Sequence, residues 1–170
     1  ENYNMVSGIR SVGINTGLVT RDYDEYLGPL GATLNRGYGW GTVTVEKVLQ
    51  HLDLLSALSV RYVLSSQDIV HPTLRLVRGG RTRIYENVEA LPRALVVHGF
   101  RIESDPLGII HSDAFRPREE VILPNTVGAA WSRRSAPPSP TASSAVDFVD
   151  AEESRIVMDV EMGERGFLVL

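Results

Sequence analysis

The residues best suited to contact a ligand lie in a glycine-aromatic segment, NRGYGWG, at positions 35–41. Its glycines do not follow the G-x-G-x-x-G spacing of a dinucleotide-binding loop, and no strand leads directly into the segment. Tyr38 and Trp40 stand between glycines, so their rings can lie against the flat face of a sugar through apolar contacts. The same pattern suits a loop that anchors Trp40 in the core, and the sequence leaves both interpretations open.

Other residue types that could do chemistry do not form a recognisable centre. Asp22, Asp24 and Glu25 are clustered carboxylates, but on one short helix such residues mainly favour the positive end of the helix dipole. The four histidines lack the spacing that places two imidazoles on one metal ion. No serine lies in a G-x-S-x-G motif. The sequence therefore predicts no catalytic residue, no metal site and no cofactor.

Composition and charge narrow the class of protein further. The 170 residues carry 17 Lys+Arg and 21 Asp+Glu, a formal net charge of −4, and they include no cysteine. Disulfide frameworks, thiol catalysis and cysteine-ligated zinc are therefore excluded. A nucleic-acid-binding domain is usually basic and carries a recognisable module. This chain has neither property, so nucleic acid is not an expected partner.

The charges are unevenly distributed along the chain. Six arginines lie between positions 75 and 101, where the only acids are Glu86 and Glu89, whereas positions 147–164 are mainly acidic. A basic stretch of this kind can face phosphate groups. Arginines on alternating strand positions can equally form a solvated face of a sheet, which is the simpler interpretation.

Two helices are predicted early in the chain. Asp22 precedes Glu25 at capping-box spacing and Gly28-Pro29 would end the helix, which predicts a short helix at about 22–28. The main amphipathic helix is predicted at about 44–58, because apolar residues recur there at intervals of three and four. Its apolar stripe comprises Val45, Val48, Leu49, Leu52 and Leu55.

Most of the remaining chain has the pattern of strands. A buried strand is predicted at VRYVLS (60–65), which is rich in β-branched and aromatic residues. A hairpin is predicted at 73–88, with its tight turn at Gly79-Gly80. Residues 94–103 are predicted to form one bent strand or two short ones, and residues 119–123 another strand, with a loop and one helical turn at 104–118 between them. Three more strands are predicted between 146 and 170.

These elements predict an α+β fold with a mixed or antiparallel sheet and a β-rich carboxy-terminal segment. Residues 1–127 are expected to form one domain, and the proline- and serine-rich residues 128–145 a linker or long loop. Residues 146–170 would begin a truncated β-sandwich or add strands to the first sheet. If completing strands lie beyond Leu170, an exposed apolar edge should pair between chains or against the chain's own first half.

Several strings, in their order and separation, resemble the extracytoplasmic region of the YfhO-like polytopic membrane proteins of bacteria. The more specific strings lie within LDLLSALSVRYVLS (52–65) and RIYENVEALPRALVV (83–97). The others are NYNMVSGIRSVG (2–13), RDYDEYLG (21–28) and VDFVDAEESRIVMDVEMGERGFLVL (146–170). The resemblance leaves out roughly 29–43 and 125–145.

This resemblance implies a parent protein similar to C-type glycosyltransferases, which take sugar from a polyprenyl-phosphate donor and add it to cell-envelope polymers outside the membrane. In that class the catalytic acid lies close to the membrane helices, so no catalytic residue is implied in this chain. The positions that match the family carry structural roles: Asn4, Arg10, Arg61, Tyr62, Tyr85, Asn87 and Arg93.

We therefore expect a non-catalytic domain on the extracytoplasmic face of a bacterial membrane, with membrane helices ahead of Glu1. Its expected partners are envelope polysaccharide or polyprenyl-phosphate-linked sugar, reached through the parent protein, and self-association through edge strands. The residues expected to bind substrate are Tyr38, Trp40, Arg10 and Arg93. The alternatives are a protein-binding scaffold module of the envelope and an independent glycoside-active enzyme, which would need two carboxylates about 5–10 Å apart.

Overall fold

The computed structural model describes residues 21–30, 44–126, 144–151 and 155–170. They form short helices and small sheets, an α+β fold whose carboxy-terminal part is rich in strands, as the sequence predicts. The chain forms two compact units, which divide between Leu91 and Pro92. The predicted linker lies almost entirely outside the described residues, so the predicted segment boundaries stay predictions.

The first described helix, α1 (Arg21–Leu27), confirms the short helix predicted at 22–28. A 3-10 turn, Gly28–Leu30, follows where the glycine and proline were expected to end the helix. Asp22 lies inside the first turn of α1, so it does not cap the helix as its spacing from Glu25 predicted. Glu25 instead pairs with Arg21, one turn earlier, with 2.5 Å between Oε1 and Nε.

The single helix predicted at 44–58 is two helices, α2 (Val45–Gln50) and α3 (Leu52–Ala57), separated by His51. Thr44 caps α2, since its Oγ1 accepts a hydrogen bond from the backbone N–H of Lys47 at 3.4 Å. His51 has φ −125° and ψ 34°, which are not helical values. The break coincides with a change in burial, because none of the residues of α2 is fully buried whereas α3 buries most of its side chains.

Strands β1 (Tyr62–Ser65), β2 (Leu74–Arg78) and β3 (Arg83–Asn87) form an antiparallel sheet with β3 in the middle. The predicted hairpin is therefore confirmed. Its connection runs through residues 79–82 and is longer than the predicted two-glycine turn. Gly80 has φ 129°, a conformation that favours glycine, and β2 carries one extra residue, Val77, relative to β3.

The strand predicted to be buried, β1, lies at the edge of this sheet. Among the described residues it pairs with β3 alone. Tyr62 and Leu64 are 48% and 65% exposed, whereas Val63 packs against the core. β-Branched and aromatic residues suit any half-buried pleated surface, so composition could not distinguish this edge strand from a central one.

The core of the first unit is built from the helices, the sheet and the loop before β2. Its fully buried apolar members are Leu27, Leu30, Leu52, Leu55, Ile69, Leu74 and Tyr85. Burial of each large apolar side chain contributes about 1.5–3 kcal/mol relative to an exposed position. Only the second half of the predicted apolar stripe is fully buried, while Val45, Val48 and Leu49 pack at its margin.

We expect the stability of the first unit to fall between pH 10 and pH 12 because of Tyr26. Its hydroxyl donates to the carbonyl oxygen of Leu54 at 3.0 Å, and burial, with the Asp53 charge, raises its pKa from 10 to about 12. Between those pH values the unfolded chain loses the tyrosine proton while the folded chain keeps it. The free energy of unfolding therefore falls as pH rises through this range. The loss is about 2 kcal/mol after allowance for solvent screening.

Urea unfolding of the native chain and the Tyr26→Phe variant, below pH 10 and near pH 12, measures this effect. At neutral pH the variant should lose only the hydrogen bond, about 1 kcal/mol. The difference between the two proteins should then shrink or reverse at the higher pH. An unchanged difference at both pH values would contradict the prediction.

In the second unit, the segment predicted as one bent strand or two short ones forms two, β4 (Leu95–Val97) and β5 (Gly99–Glu103). The predicted helical turn is α4 (Pro106–Ile110). Asp105 caps it by accepting a hydrogen bond from the Gly108 N–H at 3.0 Å, and proline occupies its first position. None of the described helices has both the length and the apolar character needed to span a membrane.

The strand predicted at 119–123 is β6 (Glu120–Pro124), and it pairs with β5 in parallel. At the start of this pair the Gly99 N–H donates to the Glu119 carbonyl oxygen at 3.1 Å. A Cβ at Gly99 would collide with that same oxygen, so the close approach of the two strands requires glycine here. Arg101 and Glu120 form an ion pair between the strands, with 2.5 Å between Nη2 and Oε1.

The three strands predicted between 146 and 170 are confirmed, but they belong to two sheets. Strands β7 (Ser144–Ala151) and β8 (Ile156–Met162) pair antiparallel, and β9 (Phe167–Val169) pairs antiparallel with β4. The ring centroids of Phe100 and Phe167 lie 5.9 Å apart, so β5 also contacts β9. Strand β9 therefore pairs within the second unit, and the predicted self-association through edge strands stays a prediction.

Candidate functional site

The structure describes one of the four residues predicted to bind substrate. Tyr38, Trp40 and Arg10 lie outside the described residues, as does Asn4. Arg93 lies at the surface of the second unit, next to the buried Ala94. The candidate site is therefore built outward from Arg93.

Arg93 faces an aromatic ring that the sequence did not connect with it. The guanidinium carbon Cζ lies 5.8 Å from the centroid of the Phe148 ring, within the range of a cation–π contact. Phe148 is 41% exposed, so part of its ring is open to solvent. We call these two residues the Arg93–Phe148 pair. The pair combines a positively charged fork of hydrogen-bond donors with an accessible apolar surface.

Two packed strands hold the Arg93–Phe148 pair in place. Arg93 lies just ahead of β4, and Phe148 lies on β7, which packs against β4. Phe148 stands opposite Met158 in the register of β7 and β8. The extra residue Val149 follows directly, and a bulge of this kind re-aims the neighbouring side chains.

The β7–β8 sheet has one apolar face and one acidic face. Strand alternation places Val146 and Val160 on the same face as Phe148. Asp147 and Asp159 stand directly opposite each other on the other face, and both are exposed. Like charges at such positions destabilise a strand pair. The acidic stretch seen in the sequence therefore includes a solvated sheet face.

The described carboxylates do not gather into a metal centre. Within the described ranges, no group of three or more histidine, aspartate or glutamate side chains is placed to hold an ion. In the amino-terminal cluster Glu25 is engaged with Arg21.

Part of the basic stretch is neutralised on the sheet of the first unit. Glu86, on the central strand, accepts hydrogen bonds from Arg75 and from Arg61, the latter with 3.2 Å between Nη2 and Oε1. These hydrogen bonds, with that from Arg75 the stronger cause, hold the pKa of Glu86 below its ordinary value. The Arg61 guanidinium also lies 5.5 Å from the centroid of the Tyr62 ring. Arg61 thus links the start of the edge strand to the central strand.

Tyr85 and Asn87, two further residues with expected structural roles, are buried in the first unit. The Tyr85 hydroxyl accepts a hydrogen bond from the Ile69 N–H at 2.9 Å. The Asn87 amide nitrogen donates to Ser56 Oγ at 2.8 Å and to the Val60 carbonyl oxygen at 3.1 Å, and its Oδ1 accepts from the Glu89 N–H at 3.1 Å. These bonds tie the end of α3 and two loops to β3.

Comparison of the chain with protein-family models, with curated proteins and with solved structures gives no match. The resemblance to the YfhO-like proteins therefore stays a prediction from the sequence strings.

Proposed function

We propose that this chain is a non-catalytic extracytoplasmic domain of a bacterial membrane protein similar to polyprenyl-phosphate-sugar-dependent glycosyltransferases. In this proposal it helps to position an acceptor polymer of the cell envelope outside the membrane. The sequence strings that resemble the YfhO-like family motivate the class of parent protein. The observation that carries the polymer contact is the Arg93–Phe148 pair.

The pair has the two properties that a sugar-binding surface needs. The open part of the Phe148 ring offers an apolar surface for the C–H groups of a pyranose ring. The Arg93 guanidinium offers several donors in a fixed plane to sugar hydroxyl or carboxylate oxygens. The cation–π contact orients that plane beside the ring before any ligand binds.

We expect Arg93→Ala and Phe148→Ala each to weaken binding of envelope polysaccharide about tenfold, because each removes one of the two contacts. Binding is measured by NMR titration of the full chain with the isolated polysaccharide. Lys47→Ala removes one positive charge elsewhere, and Tyr62→Ala removes an exposed aromatic ring from the first unit, so both serve as matched controls. Absence of any contact with polysaccharide, together with full activity of the parent protein after deletion of this domain, would refute the proposal.

A protein-binding scaffold module is the second candidate, and the β7–β8 sheet favours it. Phe148, Val160 and Met162 lie on one face of that sheet and are all partly exposed. Exposed apolar side chains gathered on one face are typical of protein-interaction surfaces. A pull-down from solubilised envelope with the full chain as bait separates the two candidates. The first predicts retained glycan and the second a retained protein.

A further inference from the structure

A shallow open cavity lies at the end of the β2–β3 hairpin. Its volume is about 350 Å³, and it is lined by Arg78, Gly79, Gly80, Arg81, Thr82 and Ile84. Arg78 ends β2, and the residues from Gly79 to Thr82 form the connection to β3. All of the lining residues except Ile84 are exposed, so the cavity is accessible from solvent.

The two arginines at this cavity differ from Arg75, Arg83 and Arg101 of the basic stretch, each of which is paired with a carboxylate. Arg75 pairs with Glu86, Arg83 pairs with Asp68 with 2.6 Å between Nε and Oδ1, and Arg101 pairs with Glu120. Across the described part of the chain, Arg78 and Arg81 have no carboxylate partner. Two positive charges are therefore concentrated at one hairpin end without compensation.

The backbone at the cavity is also available to a ligand. Among the described residues, the amide N–H groups of Gly79, Gly80, Arg81 and Thr82 make no hydrogen bond. A Cβ at Gly79 would meet nothing within 4 Å, which leaves the main chain open on that side. Amide donors that make no hydrogen bond, beside two arginines without a carboxylate partner, suit a tetrahedral oxyanion.

We propose that the β2–β3 hairpin end binds a phosphate group through Arg78, Arg81 and the backbone amides of the connection at residues 79–82. Two guanidinium groups match the charge of a phosphate monoester, which is about −2 at neutral pH, and each can bind two of its oxygens. The group is carried either by a small soluble molecule or by a lipid headgroup. This site lies in the first unit and shares no residue with the Arg93–Phe148 pair, so it goes beyond the proposed function and does not depend on it.

The test uses the full chain and two probes. Inorganic phosphate represents the soluble source, and phosphatidylcholine vesicles that contain phosphatidic acid, a lipid phosphate monoester, represent the lipid source. Binding is followed by NMR, where the amide signals of Gly79, Gly80, Arg81 and Thr82 should shift with at least one probe. The Arg78→Ala/Arg81→Ala variant should bind that probe about tenfold more weakly or worse, because two charged hydrogen-bond partners are lost.

Charge-matched and charge-conserving variants make the result specific. Arg21→Ala/Lys47→Ala removes the same two charges from exposed helix positions and should bind like the native chain. Arg78→Lys/Arg81→Lys keeps the charges but loses bidentate binding, and it should fall between the native chain and the alanine variant. Circular dichroism shows that each variant is folded. Failure of both probes to shift the hairpin signals, or an equal loss in the two alanine variants, would overturn the proposal.

Discussion

Replacing Tyr85 by alanine is expected to lower the free energy of unfolding by about 4 kcal/mol. Tyr85 is only 2% exposed and belongs to the core of the first unit, so the substitution leaves a cavity. It also removes the hydroxyl oxygen that accepts the Ile69 N–H, which leaves a buried donor unsatisfied. Urea unfolding of the variant and the native chain measures the loss.

Tyr85→Phe separates the two contributions to this loss. Phenylalanine keeps the ring in the core and removes only the hydroxyl, so we expect a loss of about 1–2 kcal/mol. If the alanine variant were no less stable than the phenylalanine variant, the ring would not contribute to the core as its burial indicates.

Asn87→Ala is expected to destabilise the first unit by about 3 kcal/mol. Asn87 is 2% exposed, and its side chain makes three hydrogen bonds, all of which the variant loses. The Ser56 hydroxyl and the Val60 carbonyl would each lose a donor where the end of α3 meets β3. The same urea experiment measures the effect.

Two further variants serve as references for Asn87. Asn87→Asp keeps an acceptor for the Glu89 N–H but removes both donors and introduces a buried charge, so it should be at least as unstable as Asn87→Ala. Val88→Ala changes the exposed neighbour and should alter stability by about 0.5 kcal/mol or less. Equal stability of the Asn87→Ala and Val88→Ala variants would show that the buried hydrogen bonds contribute nothing.

The elements that the sequence predicted well are those whose ends or periodicity are marked by residues within the element or next to it. These local signals act over a few residues. They are the glycine and proline after α1, the glycine pair in the β2–β3 connection, and the alternation of apolar and polar residues in β2 and β3. The helical turn at α4 has a similar local basis, because Asp105 caps its first turn and Pro106 occupies its first position.

Most of what the sequence did not predict is decided by contacts between distant parts of the chain. Nothing in VRYVLS shows that β1 lies at a sheet edge, since its neighbours are decided by the order of strands. The pairing of β9 with β4 and of β6 with β5 likewise depends on tertiary packing. The helix breaks at His51, but the apolar residues keep their helical spacing on both sides of it, so the sequence pattern does not reveal the break.

The candidate site was predictable only in part for the same reason. Arg93 was identified through the family resemblance, but its partner Phe148 lies on a strand that meets β4 only in the folded chain. The basic stretch was visible in the sequence, whereas the division between paired and unpaired arginines was not. Alternation predicts which face of a strand an arginine occupies, and it does not reveal which carboxylate stands beside it.

The parallel pairing of β5 with β6 has a kinetic consequence. Hairpins such as β2–β3 form from their turns within about 1–10 μs, because their first contacts are close in sequence. The β5–β6 ladder has no such turn, because the chain from Gly99 to Glu119 must bring its two ends together before the first bond at Gly99 can form. The entropy cost of closing this loop therefore opposes pairing of the two strands until their hydrogen bonds form. We expect the β2–β3 hairpin to form early during folding and the β5–β6 pair to form late.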